Sequence, residues 1–465
     1  MKSMAAFSGP TVDRSMLILL GIAGIAIAFV LLRRSAKWAV GLWLAVICLI
    51  PVWIGFSLGA SGNLYVPVAS GVALIVIATL LPGSRVRFTL ADGLVLLLVA
   101  VSAVATAVTS STVALSFLLS LTIYFVVGYV LGRLAPHRID LHWIYGAVGV
   151  IFTAVAILAI VESLTGVNLF VNLHEGDSQF ALWGPLQYRG GMLRVEGAFG
   201  HSIALGCSLA IAIPLTLASR LPSWLRAVMV LLMLVATTLT FSRVGILGAL
   251  LGLALSILFL RDGLSRRMRA TLAIGGSAAM LALFPVISDV FTAAGSEASG
   301  SAAYRGDLLS LVGQMKLLGV ASSARRSADG EIYFGNFRSI DSQLILTGLS
   351  GGTIILGAIV VALIAAIVLV LLGKGSAATI AVVAQIPAFA TVALITQYSI
   401  FVWFLIGLAV TSQLTPGANH PTDVPSNRVL QSPLSRATLL HVTVPDAPER
   451  KIAGRSYPNP IELRE

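Results

Sequence analysis

The sequence predicts an all-α polytopic membrane protein with about 12 to 13 transmembrane helices and one large extracytoplasmic loop. Three observations carry that expectation. Hydrophobic residues make up 57% of the 465 positions and charged residues only 11%, with a mean hydropathy of +0.97. A soluble domain carries about 25% charged residues. The apolar runs reach the length at which a helix crosses a hydrocarbon core of ~30 Å, and they are far too long for barrel strands. Basic residues recur between alternate runs, as expected when Lys and Arg are held on the cytoplasmic side.

Taken in order, Ser15–Leu32 reads as a retained first span, because Arg33, Arg34 and Lys37 follow it and no small-residue cleavage site does. These three mark an inner loop, which sets the N-terminus outside. Trp38–Phe56 then crosses outward and Val66–Leu81 returns to Arg85 and Arg87. Phe88–Val108 goes out, and Val113–Leu131 comes back to Arg133, His137 and Arg138. Leu141–Leu164 leads to a polar outer loop, 166–194. Gly197–Leu217 returns to Arg220 and Arg226. Ala227–Thr240 and Val244–Leu260 form a short hairpin with Arg243 at its outer turn. Arg261, Arg266, Arg267 and Arg269 are the strongest inner marker. Ala270–Ile287 leads out to the long polar segment Ser288–Ser350, and Gly351–Leu372 returns from it. Ala377–Thr396 and Ser399–Val410 close the membrane region as a last hairpin, with the C-terminus inside.

The domain reading follows. Residues 1–287 are transmembrane helices with the outer loop 166–194. Residues 288–350 are the large extracytoplasmic loop. Residues 351–413 are the C-terminal helices. Residues 414–465, rich in Pro and Ser, read as a disordered cytoplasmic tail. A structureless loop as long as 288–350 is uncommon unless it is functional or disordered, so it draws the functional reading.

Several classes are set aside. The formal net charge of +11 is topological in such a chain and does not point to nucleic acid. Cys48 and Cys207 both lie in apolar runs, without metal spacing or a disulfide framework. The sequence has no Walker loop, dinucleotide fingerprint, HExxH or EF-hand pattern. No cofactor and no metal are expected.

Three polar clusters fall on the expected outer face. The first is Arg189 and Arg194, leading through Val195, Glu196 and Gly197 to Gly200 and His201. The second is Thr240-Phe241-Ser242-Arg243-Val244-Gly245, where one span ends and the next begins. The third lies in the long loop, around Tyr304-Arg305-Gly306-Asp307 and Arg338-Ser339-Ile340-Asp341-Ser342. Arginines gathered on one aqueous face suit a phosphate-bearing ligand, because a guanidinium meets phosphate oxygens bidentately. For any single arginine, snorkelling to lipid headgroups is the better explanation. Arg243 stands apart, as a positive charge in a tight outer turn. Asp341 and His201 are candidate proton acceptors. Asp92 and Glu162, at span edges, are weaker candidates of the intramembrane kind.

These stretches resemble the O-antigen ligase and polysaccharide polymerase family. Leu239-Thr240-Phe241-Ser242-Arg243-Val244-Gly245 is similar to that family's Ser-Arg-Gly turn opening an apolar helix. Tyr304-Arg305 with Lys316-Leu317-Leu318-Gly319-Val320 resembles its loop helix. Asp341-Ser342-Gln343-Leu344 with Gly348-Leu349-Ser350-Gly351 resembles its re-entry motif. Gly197-Ala198-Phe199-Gly200 with His201 resembles the glycine-rich helix start before them. Asp341 stands where ligases of the family carry histidine, Ser342 where they carry asparagine, and Thr347 where they carry glutamate. That leans towards the polymerase branch.

The resemblance implies a metal-independent, inverting glycosyl transfer at the outer face of the inner membrane. The donor would be a glycan on undecaprenyl pyrophosphate. Arg243 and Arg305 would stabilise the charge developing on the leaving pyrophosphate, and Asp341 would orient or deprotonate the acceptor hydroxyl. Arg189, Arg194, Glu196, His201 and Arg338 would bind substrate. Membrane lipids, a chain-length regulator and a flippase would be its partners. The leading expectation is thus a polysaccharide polymerase. The alternatives are a ligase that moves a finished glycan to a lipid or protein acceptor, and a transporter of an anion or lipid. A transporter would need ionisable groups near the membrane midplane.

Overall fold

The structure is a computed structural model and describes residues 28–58, 64–109, 112–173, 178–260, 264–293, 304, 306–326 and 332–414. Most of the first expected span, Arg305 and the tail from Thr415 lie outside the described residues, as does His174.

Helices fall on the apolar runs. After a helical turn at 28–33 come α1 (Ala36–Leu49), the hairpin β1 (Gly55–Leu58) and β2 (Leu64–Pro67), and α2 (Val68–Leu80). α3 is Leu90–Thr109. α4 (Thr112–Ser120) passes through a π-helical turn, Leu121–Val126, into α5 (Val127–Leu134). α6 is Leu141–Thr165. The first polar loop holds α7 (Ser178–Trp183) and the hairpin β3 (Tyr188–Arg189) and β4 (Met192–Leu193). α8 (Ser202–Ala218), α9 (Ser223–Leu239), α10 (Arg243–Phe259) and α11 (Arg266–Ala293) follow. The long loop contains the hairpin β5 (Ala324–Arg326) and β6 (Ile332–Phe334), and leads to α12 (Gln343–Gly351) and α13 (Thr353–Leu371). α14 (Ala377–Ala384), α15 (Ile386–Thr391) and α16 (Thr396–Leu414) end the described chain.

Six stretches are long and apolar enough to cross a membrane: Leu90–Val108, Thr112–His137, Leu141–Thr165, Arg266–Pro285, Thr353–Leu371 and Thr396–Leu414. The other apolar helices are shorter, between 10 and 17 residues.

α8 is the centre. It is hydrophobic all round, and all but two of its seventeen residues are buried, as a fully enclosed helix requires. α6, α9, α10, α14 and α16 pack around it. α8 and α10 run parallel, with Gly206 against Gly245 and Ala210 against Gly248. α5 and α16 also run parallel, at backbone contact. A Cβ on Gly132 would fall 2.1 Å from the Phe404 carbonyl oxygen, and one on Gly407 would fall 2.4 Å from that of Tyr129. Small residues are what allow two helices to approach so closely.

One end of the bundle is held by arginines. Arg133 Nε lies 2.9 Å from Asp92 Oδ1, and its other nitrogens reach the Arg87 carbonyl and Thr411 Oγ1. This joins the start of α3 to the ends of α5 and α16. Arg226 Nη1 donates to the Leu217 carbonyl at 2.5 Å. Arg269 Nη2 donates to the Leu260 carbonyl at 3.0 Å. Both reach the last carbonyls of a helix, which have no intrahelical donor. Arg220 pairs with Asp140 at 3.4 Å on the surface. These basic groups, expected on one side from charge alone, do meet at one end.

Two expectations need correction. Ala377–Thr396 is not one helix. α14 stops at Gln385, Pro387 sits in the first turn of α15, and Val392 is extended. Proline is tolerated in a first turn but not in a helix interior. The segment Ser288–Ser350 is not structureless, because α11 carries on to Ala293 and the segment builds its own core. Leu308, Leu311, Phe334 and Leu349 are buried there together. The expected span Val113–Leu131 falls within the apolar helical stretch Thr112–His137, which contains the π turn.

Two stretches quoted for the family resemblance lie side by side. The Ala321 N–H donates to the Leu349 carbonyl at 2.7 Å, Gly319 to Gly351 at 3.0 Å, and Thr353 to Lys316 at 2.9 Å. Between α12 and α13, Gly352 has φ +97, and a Cβ there would fall 2.5 Å from the Leu317 carbonyl oxygen. Only glycine satisfies both the backbone angle and the approach.

Candidate functional site

At the end opposite the arginine caps, α9 stops and α10 begins within a few residues. Thr240 Oγ1 donates to the Thr237 carbonyl and accepts from the Ser242 N–H. Phe241 takes φ 47 with its ring buried. A bulky non-glycine residue rarely adopts that angle. Ser242 then caps α10 by accepting the Gly245 N–H at 3.2 Å. Arg243, the first residue of α10, is exposed. An exposed guanidinium here adds to the partial positive charge of a helix N-terminus, and both favour an anion.

The first polar loop folds onto this turn. Gly190 and Gly191, both at positive φ, reverse the chain between β3 and β4. That places Arg189 and Arg194 on the same target. Arg189 Nη1 donates to the Phe241 carbonyl at 2.8 Å, and Arg194 Nε to the Thr240 carbonyl at 3.1 Å. The Val195 N–H reaches the Leu239 carbonyl at 3.4 Å. So the first two clusters converge, and residues far apart in sequence brace consecutive peptide groups just before Arg243.

A buried acid pair supports the hairpin. Glu162 Oε1 accepts from Asn168 at 3.0 Å and from the Glu196 N–H at 3.1 Å, and its Oε2 accepts from the Gly197 N–H at 3.0 Å. Glu196 itself is buried and accepts from the Gln187 N–H at 2.9 Å. Burial pushes the Glu196 carboxyl up to about 8. The Glu162 charge adds to that rise, and the Gln187 N–H and Arg194 oppose it. Gln187 Oε1 in turn accepts from Arg194 Nη1 at 3.2 Å and from Ser202 Oγ at 3.1 Å.

Three residues expected to bind substrate therefore hold structure. Arg194 and Glu196 are buried and engaged with backbone. His201 caps α8, its Nδ1 accepting the Ile203 N–H at 3.1 Å, beside the edge of Trp183. These are positioning roles. Arg189 is half-buried and likewise engaged with backbone, whereas Arg243 is exposed.

The third cluster is assembled separately. The Tyr304 hydroxyl donates to the Ser339 carbonyl, which sets the neighbour of Arg305 beside the Asp341 segment. Burial, and after it the Asp341 charge, raise the Tyr304 hydroxyl above its usual range. Ser339 Oγ donates to Asp341 Oδ1 at 2.9 Å. Ser342 caps α12 by accepting the Ile345 N–H at 3.3 Å. Arg338 is exposed on the same segment. α15 stands between this cluster and the turn. It packs against α10 on one side and α12 on the other, where the Gln343 N–H meets the Val392 carbonyl at 3.0 Å.

Sequence reasoning passed over Gln187 and Asn168 and did not pair Glu162 with Glu196. The available signal was two acids, Glu162 and Glu196, set in apolar surroundings, which require nearby donors. Among the described residues no cluster of His, Cys, Asp and Glu has metal-ligating geometry. No protein-family model, curated protein or solved structure matches the chain.

Proposed function

We propose that this chain is a multi-pass protein of the inner membrane that polymerises a lipid-linked polysaccharide at the outer face. In this reading the shorter apolar helices cross with the six long ones, and the arginine-capped end faces the cytoplasm. The braced turn at Arg243 then opens to the extracytoplasmic side, between the two polar loops. The resemblance to the O-antigen ligase and polysaccharide polymerase family supports the assignment.

The observation that carries the proposal is the convergence of Arg189 and Arg194 on the two carbonyls that precede Ser242 and Arg243. It fixes the turn that presents the exposed Arg243 at a helix N-terminus, with Arg189 and Arg194 bracing the backbone behind it. Such a group suits a diphosphate leaving group, because it acts where negative charge grows as the glycosyl bond breaks. Asp341 takes the proton of the acceptor hydroxyl, and Arg305 joins Arg243 on the diphosphate. Arg338 binds the glycan at the rim.

A transporter is less well supported. In the described residues α8, α10, α13 and α16 carry no acid or base between their first and last turns. Turnover of an undecaprenyl-pyrophosphate oligosaccharide by the purified protein, read as product length, tests the proposal. Lengthened chains support it, and transfer of a single finished chain to another acceptor makes it a ligase. Vesicle flux without glycan product makes it a transporter.

A further inference from the structure

A half-open cavity of about 310 Å³, with no arginine in its lining, is bordered by α3, α4, the π turn, α12 and the joint between α15 and α16. Gln179 and Trp183 of α7, and Ile332 of β6, also border it. Its size falls in the ~300–1,000 Å³ range of small-ligand pockets. Half of its lining residues carry a hydroxyl or a carboxamide, and none carries a formal charge. Phe117, Tyr124, Phe125 and Trp183 supply aromatic rings among them.

Two irregularities of the backbone fall on this cavity. The π turn contributes Leu121, Tyr124 and Phe125 to the lining. π turns within α-helices are often found at functional sites, because the extra residue re-aims side chains. Thr396, also in the lining, is β-branched yet takes φ 47. Its hydroxyl is buried, and no protein group donates to it or accepts from it. A strained residue and an unsatisfied buried polar group are both costs that ordinary packing removes.

We propose that this cavity binds one uncharged saccharide unit of the glycan, with the half-buried Tyr124 hydroxyl as a hydrogen-bonding contact and the aromatic rings as its walls. The chemistry favours that occupant over two others. A pyrophosphate would need cationic groups, and the lining has none. Ser116, Gln343, Thr347, Ser350 and Ser399 already bond within the protein, but a polyprenyl tail would leave the Tyr124 hydroxyl and the Gln179 carboxamide facing hydrocarbon, at a desolvation cost. Neutral hydroxyls, carboxamides and aromatic faces together suit a ring that is hydroxylated at its edge and apolar on its face. The inference rests on the glycan-handling reading above, and it adds a specificity pocket separate from the diphosphate grip.

The test is photolabelling of the full-length protein in nanodiscs, without any lipid-linked donor, so it does not depend on turnover. The probes are a neutral disaccharide and a short polyisoprenol, each carrying a diazirine, and labelled peptides are mapped by mass spectrometry. The disaccharide is expected to label α4 or α12, and unlabelled disaccharide to compete with it. Ser120→Phe, which fills the cavity, should abolish that labelling. Tyr124→Phe keeps the ring and removes one hydroxyl, so it should weaken labelling roughly fivefold even if Ser120→Phe fails to fold. Disaccharide labelling unchanged in Tyr124→Phe, or polyisoprenol labelling the same peptides in place of the disaccharide, would overturn the inference. Loss of turnover in Arg243→Ala with disaccharide labelling intact would separate the two sites.

Discussion

The Arg189 guanidinium donates to the Phe241 carbonyl at 2.8 Å, and Phe241 is held at φ 47. One residue thus stabilises the strained conformation of another 52 positions away. A residue in this region costs of order 1–3 kcal/mol unless its surroundings enforce it. Arg189→Ala removes a charged donor from that carbonyl and should lower stability by roughly 1 to 3 kcal/mol. Thermal unfolding in detergent measures it. Arg189→Lys should recover only part of the loss, because the reach and planarity of the guanidinium are missing.

The α5–α16 seam should tolerate no side chain. A Cβ at Gly132 would lie 2.1 Å from the Phe404 carbonyl oxygen, so the backbones must separate. Gly132→Ala is expected to cost several kcal/mol, of the order found for overpacked cores. Gly71, whose Cβ would meet nothing within 4 Å, is the control. Gly71→Ala should leave the melting temperature within a degree or two, because exposed helical Gly→Ala changes are worth only about 1 kcal/mol.

Arg133→Ala should destabilise strongly without touching the proposed site. Arg133 is buried and Asp92 nearly so, and the two meet at 2.9 Å. Removing one partner leaves a buried charge, at a cost of roughly 3–5 kcal/mol. Protein yield and melting temperature should fall together, while activity per folded molecule stays unchanged. Asp92→Asn combined with Arg133→Met should be milder than Arg133→Ala alone.

Glu196 makes stability depend on pH. The folded state holds its proton up to about 8, against an ordinary value of 4.5. Between these limits the unfolded chain binds fewer protons than the folded one. Stability therefore falls as pH rises through that window and levels off above it. Glu196→Gln should flatten this slope. Melting curves of both proteins at intervals from pH 5 to 9 measure the difference, and parallel curves would contradict it.

The long helices were legible because hydropathy and length depend on composition, which a sequence displays directly. Arg133, Arg226 and Arg269 fall at one end of the bundle, but what they bind, helix-end carbonyls and Asp92, was not visible in the sequence. The π turn leaves no compositional trace, since Leu121–Val126 is as apolar as its flanks. The break at Gln385 was marked by Pro387, but the surrounding hydrophobicity hid it. The long loop was judged by its charges, so the small core of Leu308, Leu311 and Phe334 was missed. At the site, charge was taken as a sign of exposure. That held for Arg243 and Arg338, and failed for Arg194 and Glu196, whose partners come from distant segments.

The most direct test is turnover of undecaprenyl-pyrophosphate oligosaccharide by purified wild-type and Arg243→Ala proteins, compared at equal folded concentration. The proposed grip on the leaving diphosphate predicts chain extension by the wild type and a drop of about 100-fold or more in the variant. Equal turnover in the two proteins would contradict it.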